Sequence, residues 1–216
     1  MDGHGSSPPL DPTAGMSEDL VSLPALKAKG DTSIDFDGQL GVPIRLHEDV
    51  RTGCGGQTWP AGMVLGKHML RYHRAELEAG NVLELGAGGG LVGLAVAAGC
   101  DLRNKLVMTD QDPMLELMGH NIELNGLSQK ASAMVLNWDL FAVNEGAVVY
   151  FCFKRRRRAD MQFVKKAKKA FLVEEVFDED RPVFSRQNLF LFTFRSRGSK
   201  SKSKSKMDDG KDVSQE

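Results

Sequence analysis

The sequence predicts an α/β protein built on a parallel sheet. Three observations carry this. An apolar run, Val82 to Leu85, ends in the glycine turn Gly86-Ala87-Gly88-Gly89-Gly90 and opens directly into a small-residue helix that stops at Gly99. A second apolar run, Leu106 to Thr109, ends in Asp110. A third, Ala131 to Leu136, follows a stretch with helical spacing. Strand, glycine loop, helix, strand and acid, in that order, is how α/β folds build a pocket for a nucleotide-type ligand.

The glycine loop comes first because glycine lets a backbone turn at positive φ and approach a ligand closely. Its spacing departs from the dinucleotide fingerprint, since Leu91 stands where the third glycine of G-x-G-x-x-G belongs. Glu84 lies inside the strand, at the predicted pocket floor, where a carboxylate suits a cationic ligand better than a pyrophosphate. The glycines alone are compatible with an ordinary strand-turn-helix. Asp110 adds weight, because it follows Gly86 by about the twenty-odd residues expected of a ribose-binding acid.

The flanking elements follow from local rules. Asp112-Pro113 predicts a helix start, with aspartate as N-cap and proline at the first helical position. Met114, Leu117, Met118, Asn121, Ile122 and Asn125 continue it at helical spacing, and Gly126 ends it. Upstream, Gly-Gly-Gln-Thr-Trp-Pro-Ala-Gly (55–62) leads into a helix with apolar Met63, Val64, Met69 and Leu70. Trp59 and Trp138 flank the glycine loop in sequence. Tryptophans usually pack in cores, and this pair is also placed to close over an adenine or a methionine chain.

In the C-terminal half, Gly146 to Phe153 reads as a strand that runs into five consecutive basic residues, Lys154 to Arg158. A helix follows, with Met161, Val164 and Ala167 on its apolar face and Lys165, Lys166, Lys168 and Lys169 solvated. Phe171 to Phe177 and Leu189 to Phe194 read as an antiparallel strand pair joined by a turn around Asp180-Arg181-Pro182. The basic run reads as a strand end and a solvated helix face. With no aromatic platform interleaved, it predicts no nucleic-acid binding; steering toward an acidic protein patch is a further use.

Composition bounds the rest. A formal charge of −1 over 216 residues gives no global pull toward polyanions. Cys54, Cys100 and Cys152 form no Cys-x-x-Cys motif, as expected of reduced cysteines in a cytoplasmic protein. No apolar run approaches the roughly 18 residues of a membrane helix, and no secretory pattern opens the chain. His4, His47, His68, His73 and His120 have no metal spacing and read as surface or half-buried, so no metal is assigned. Residues 1–30 and 196–216, rich in Gly, Ser, Pro and Lys, are expected to stay unstructured. Residues 31–195 form one domain, expected to be monomeric.

Taken together, Trp-Pro-Ala-Gly (59–62), Leu-Glu-Leu-Gly-Ala-Gly-Gly-Gly-Leu-Val-Gly (83–93), Thr-Asp-Gln-Asp-Pro (109–113), Asn-Ile-Glu-Leu-Asn (121–125) and Asn-Trp (137–138) resemble the class I, seven-strand protein-lysine methyltransferases. The wording around Cys54 to Met63 and Phe153 to Asp160 is most similar to the fungal elongation-factor methyltransferase branch. The resemblance covers about residues 35–138 and 147–195. It implies a Rossmann-like sheet with helices on both faces, and S-adenosyl-L-methionine as methyl donor, held by Trp59, Gly86, Ala87, Gly88, Asp110 and Trp138. It implies a protein substrate, with translation elongation factor 1 alpha the leading candidate.

One departure stands against these matches. Members of this family carry a further central strand after the Asn-Trp segment, ending in Asp-x-x-Tyr where the acceptor lysine enters. Here the tyrosines are Tyr72 and Tyr150, preceded at the third position by Met69 and Ala147, so the motif is absent. Asn-Pro-Pro-Tyr is absent too. The chain passes from Trp138 almost at once to the strand beginning near Gly146, as if one central strand had been deleted near 138–147. Asn137 to Gly146 reaches at most about 35 Å fully extended, whereas parallel partners are normally joined by a dozen or more residues, usually with a helix. Either the strand after Gly146 moves into the vacant place, or the sheet is left with a hole beside its glycine loop. No catalytic residue is therefore assigned. An inert cofactor-binding isoform and a methyltransferase of RNA or small molecules stay open beside the protein-lysine reading.

Overall fold

The computed structural model describes residues 29–136 and 146–197. Trp138, most of the link between Asn137 and Gly146, and nearly all of both expected unstructured ends lie outside the described residues. The chain opens with an antiparallel hairpin, β1 (Gly30–Ile34) and β2 (Ile44–Glu48), which the sequence reading did not anticipate. Then come α1 (Pro60–Tyr72), α2 (Arg74–Ala79), β3 (Leu83–Leu85), α3 (Leu91–Gly99), β4 (Leu106–Asp110), α4 (Leu115–Leu124) and β5 (Ala131–Val135). The second half holds β6 (Val148–Lys154), α5 (Arg158–Ala170), β7 (Phe171–Glu175), α6 (Arg181–Phe184) and β8 (Leu189–Ser196).

The expected α/β organisation is present. Strands β3, β4 and β5 form a parallel sheet in that order, with Leu83 opposite Val107 and Thr109 opposite Met134. Helices α3 and α4 pack on one face, where Leu94, Leu106, Met108, Met118, Ile122 and Ala131 share one core. The start of α4 differs from the expectation. A short 3-10 turn, Asp112–Met114, precedes it, so Gln111 caps that turn and Met114, not Asp112, is the N-cap of α4, neither with a side-chain bond. The hairpin is tied to this layer by two asparagines of α4. Asn121, fully buried, accepts the His47 amide proton and donates to the carbonyls of His47 and Gly89, so it behaves like one residue of a neighbouring strand. Asn125 does the same for Arg45.

The second sheet is antiparallel, in the order β6-β8-β7. Its strands alternate cleanly. Phe151, Phe153, Phe192 and Phe194 face α5, packing with Val164 and Ala167. Cys152, Leu189 and Leu191 face α1 and α6, packing with Ala61, Val64 and Phe184.

Among the described residues, β3 pairs only with β4 and β6 only with β8. Of the two outcomes that the short link allowed, this is the sheet with a hole. The strand order is that of a seven-strand doubly wound sheet lacking the strand between β3 and β6. β6 and the segment after β7 are attached to the first helices. The Tyr150 hydroxyl donates to Glu76 and meets His73 Nδ1 at 3.1 Å. His68 Nδ1 donates to Asp178 at 2.7 Å, and Arg71 pairs with Glu179 and Asp180. The halves are therefore joined by a side-chain seam along α1 and α2.

Candidate active site at the glycine loop

The loop after β3 takes the shape its composition demands. Gly86, Gly88 and Gly90 have φ of 65°, 56° and 88°, the left-handed region that L side chains rarely adopt. The Ala87 amide donates to the Thr109 carbonyl at 3.0 Å, which locks the loop to the end of β4. Asp110, the last residue of β4, accepts the Gly88 amide at 2.7 Å on one oxygen and the Gln111 amide at 2.7 Å on the other. The glycine loop and the acid are thus one unit, brought together by the β3–α3–β4 crossover.

Glu84 is engaged differently from the expectation of a bare carboxylate at the pocket floor. Its side chain accepts the Gly93 amide at 2.8 Å and caps the first turn of α3. Desolvation pushes its carboxyl up to about 8, the neighbouring Asp110 charge adds to the rise, and the Gly93 and Val92 amides oppose it.

Trp59, the residue before α1, does not lie on the glycine loop in direct contact. Its indole N–H donates to the Cys54 carbonyl at 3.0 Å. The turn Cys54–Gly56 in turn lies against the loop, where a Cβ placed on Gly88 would overlap the Gly55 carbonyl oxygen. Trp59 therefore reaches the loop through the Gly53-Cys54-Gly55-Gly56 turn, whose three glycines allow that close approach. The other wall of Trp59 belongs to a cavity of about 650 Å³ lined also by Gln57, Met63, Lys67, Phe184 and Leu189. Of the six residues implied as donor contacts, Gly86, Ala87, Gly88 and Asp110 are contiguous, Trp59 is one turn removed, and Trp138 is not described.

The sequence reading missed three features here. It left His68 at the surface or half-buried, yet His68 is 1% exposed. Burial holds its imidazole below the usual range, with the Asp178 hydrogen bond opposing. It saw no aromatic residues beside the basic run, yet the Arg156 guanidinium lies over the Trp59 ring at 4.6 Å and Arg155 over Phe190 at 5.5 Å. It placed a plain turn between the last strands, where α6 forms instead. Each partner is distant in sequence, so no local pattern carries a signal for them.

A parallel strand, a glycine loop at positive φ, a helix and an acid bonded to that loop define a Rossmann-like α/β protein. Within that class, the model of the lysine methyltransferase family matches residues 40–145. It is 29% identical over 219 residues to the protein-lysine N-methyltransferase EFM6 of Saccharomyces cerevisiae, covering 74% of this chain and 88% of that one. It is 33% identical over 120 residues to the protein N-lysine methyltransferase METTL21A of Danio rerio, covering 54% and 53%. Among solved structures, P. horikoshii TYW2 in complex with MeSAdo aligns with a TM-score of 0.45 at 15% identity, over 70% of this chain and 66% of that one.

The site's chemistry fits a nucleoside sulfonium donor. Asp110 presents a carboxylate, an acceptor for hydroxyls, beside a loop whose glycines leave its backbone open to close approach.

Proposed function

We propose that this chain binds S-adenosyl-L-methionine at the glycine loop and is built to methylate lysine on a protein, with translation elongation factor 1 alpha as the acceptor. The observation that carries the proposal is the bond between Asp110 and the Gly88 amide, which joins acid and glycine loop in one unit. In this reading Asp110 exchanges its backbone partners for the ribose hydroxyls, Gly86 to Gly88 line the methionine side, and Trp59 walls the pocket. The donor supplies an already activated methyl group, so the protein needs no nucleophile of its own. Its task is alignment of the acceptor amine and removal of water. A free lysine titrates near roughly 10.4, so the amine must be desolvated to attack in its neutral form. Free Cys54, Cys100 and Cys152 support work in the reducing cytoplasm.

The test is titration calorimetry of the purified chain with S-adenosylmethionine, followed by mass spectrometry of elongation factor 1 alpha. Donor binding is expected. Absence of heat with a folded protein would overturn the assignment.

A second reading is favoured by the break between β3 and β6. The residues that would face the acceptor lysine belong to the Asp-x-x-Tyr strand, which this chain lacks. The proposal is therefore that methyl transfer by this chain is weak or nil, and that it acts as a cofactor-binding isoform. Robust methylation by the chain as it stands would refute this second reading.

A further inference from the structure

The basic run Lys154 to Arg157 leaves β6 at the edge of the second sheet and turns into α5. Arg155, Arg156 and Arg157 are exposed. Among the described residues none of these three guanidiniums has a carboxylate ion-pair partner. The one nearby acid, Asp160, spends its side chain on the backbone amides of Arg156 and Arg157, at 2.7 and 2.9 Å. In a chain of net charge −1 this is a local excess of positive charge with its neutralising acids elsewhere.

Its place in the fold ties it to the glycine loop. Arg156 lies over Trp59 at 4.6 Å, Trp59 donates to the Cys54 carbonyl, and the adjoining Gly55 carbonyl lies against Gly88. Arg155 is held over Phe190 and donates to the Asn188 side chain at 3.0 Å, which fixes its stem and leaves the rest of its fork free. A guanidinium resting on an aromatic face is pre-organised and still presents N–H donors at its edge, a geometry that suits carboxylates and forms paired hydrogen bonds with them.

We propose that Arg155, Arg156 and Arg157, seated on Trp59 and Phe190, form a docking rim for an acidic segment of the protein acceptor next to its target lysine. The inference rests on the reading of the glycine loop as the methyl-donor site, because the Trp59 turn is what places the rim at that site's mouth. Charge complementarity selects the partner. A segment rich in aspartate or glutamate neutralises the rim and brings its lysine to the loop, whereas a basic segment is repelled. An acidic protein segment is favoured over RNA because the relatives this chain matches are named for methylating proteins and because the Phe190 face is already covered by Arg155.

The experiment uses the full chain and fluorescence anisotropy with three labelled probes: a peptide with a central lysine flanked by glutamates, the same peptide with glutamines, and oligouridylate of similar length. At ~50 mM salt the acidic peptide is expected to bind about tenfold or more tightly than the glutamine peptide, with the difference mostly lost by ~300 mM salt as screening takes over. Arg155→Gln combined with Arg157→Gln should abolish the preference with an unchanged melting temperature, and the corresponding lysine variants, which keep the charge and lose the stacked fork, should retain only part of it. Equal binding of the two peptides overturns the proposal, and so does tighter binding of oligouridylate. Calorimetry with S-adenosylmethionine on the same preparation separates the two readings: a chain that prefers the acidic peptide but binds no donor overturns the donor site and leaves the rim standing.

Discussion

The two sheets of this molecule solve the same burial problem to different degrees. The second sheet, β6-β8-β7, is covered on both faces, by α5 on the phenylalanine side and by α1 and α6 on the other. The first, β3-β4-β5, is parallel, a class normally buried on both faces, yet α3 and α4 cover only one. On the other, Leu83, Leu85 and Met134 are 43%, 39% and 46% exposed. A strand between β3 and β6, with the helices that would flank it, is what a doubly wound fold places there. The comparison teaches that the glycine loop and Asp110 need only the β3–α3–β4 unit, whereas a continuous sheet needs a strand between β3 and β6 that the described residues do not supply.

The sharpest way to break the comparison is to cut one apolar side chain from each sheet. Leu191→Ala, at a position with 0% exposure, should cost about 2–5 kcal/mol in urea unfolding. Leu83→Ala should stay within about 0.5 kcal/mol, as surface changes do. Equal losses would mean that the open face is covered in solution. Hydrogen exchange bears on the same point. Weak protection at Leu83 and strong protection at Val149 are expected, and strong protection at both with one cooperative melt would show that the hole does not weaken the sheet.

Next in size is Asp110→Ala, which removes hydrogen bonds to a charged group at the candidate donor site. S-adenosylmethionine affinity should fall by about 1.5–3 kcal/mol, read by calorimetry on a variant whose circular dichroism is unchanged. The seam between the halves comes third. His68→Ala takes the imidazole donor from the buried Asp178 carboxylate and should cost about 1–3 kcal/mol. Exchange should accelerate in β6 and β8 more than in β3 to β5, since the seam holds the second sheet to α1.

The effects of pH have opposite signs at two groups of the first half. His68 titrates below its ordinary value of 6.5 because it is buried. Its contribution is present above 6.5 and is lost as pH falls through its depressed folded value. Glu84, raised from 4.5 to about 8, behaves in reverse: its contribution is full below 4.5 and is lost as pH rises toward 8. Glu84→Gln keeps an acceptor for the Gly93 amide and should flatten the alkaline limb of the stability curve while leaving the acid limb in place. An unchanged profile between pH 5 and 8 would show that Glu84 is ionised at little cost.

The residue pattern by itself determined the glycine loop, its helix, the Asp110 strand, the aromatic strands of the second half and the absence of Asp-x-x-Tyr. These are local facts: an apolar run bounded by glycine, a helical spacing, a motif within a few residues. The family likeness follows from the same short stretches. Which side chains meet across the chain was decided only in three dimensions. Asn121 serves β2 from a helix 74 residues away, His68 is buried against Asp178 at a separation of 110, and Arg156 rests on Trp59. No periodicity encodes such pairs, because they depend on how whole elements pack. The outcome at the omitted strand was of this kind too. The sequence allowed β6 either to fill the vacant place or to leave it, and the choice fell to packing, since Tyr150 and Cys152 are held by α1 and α2 while β3 offers only backbone partners across the gap.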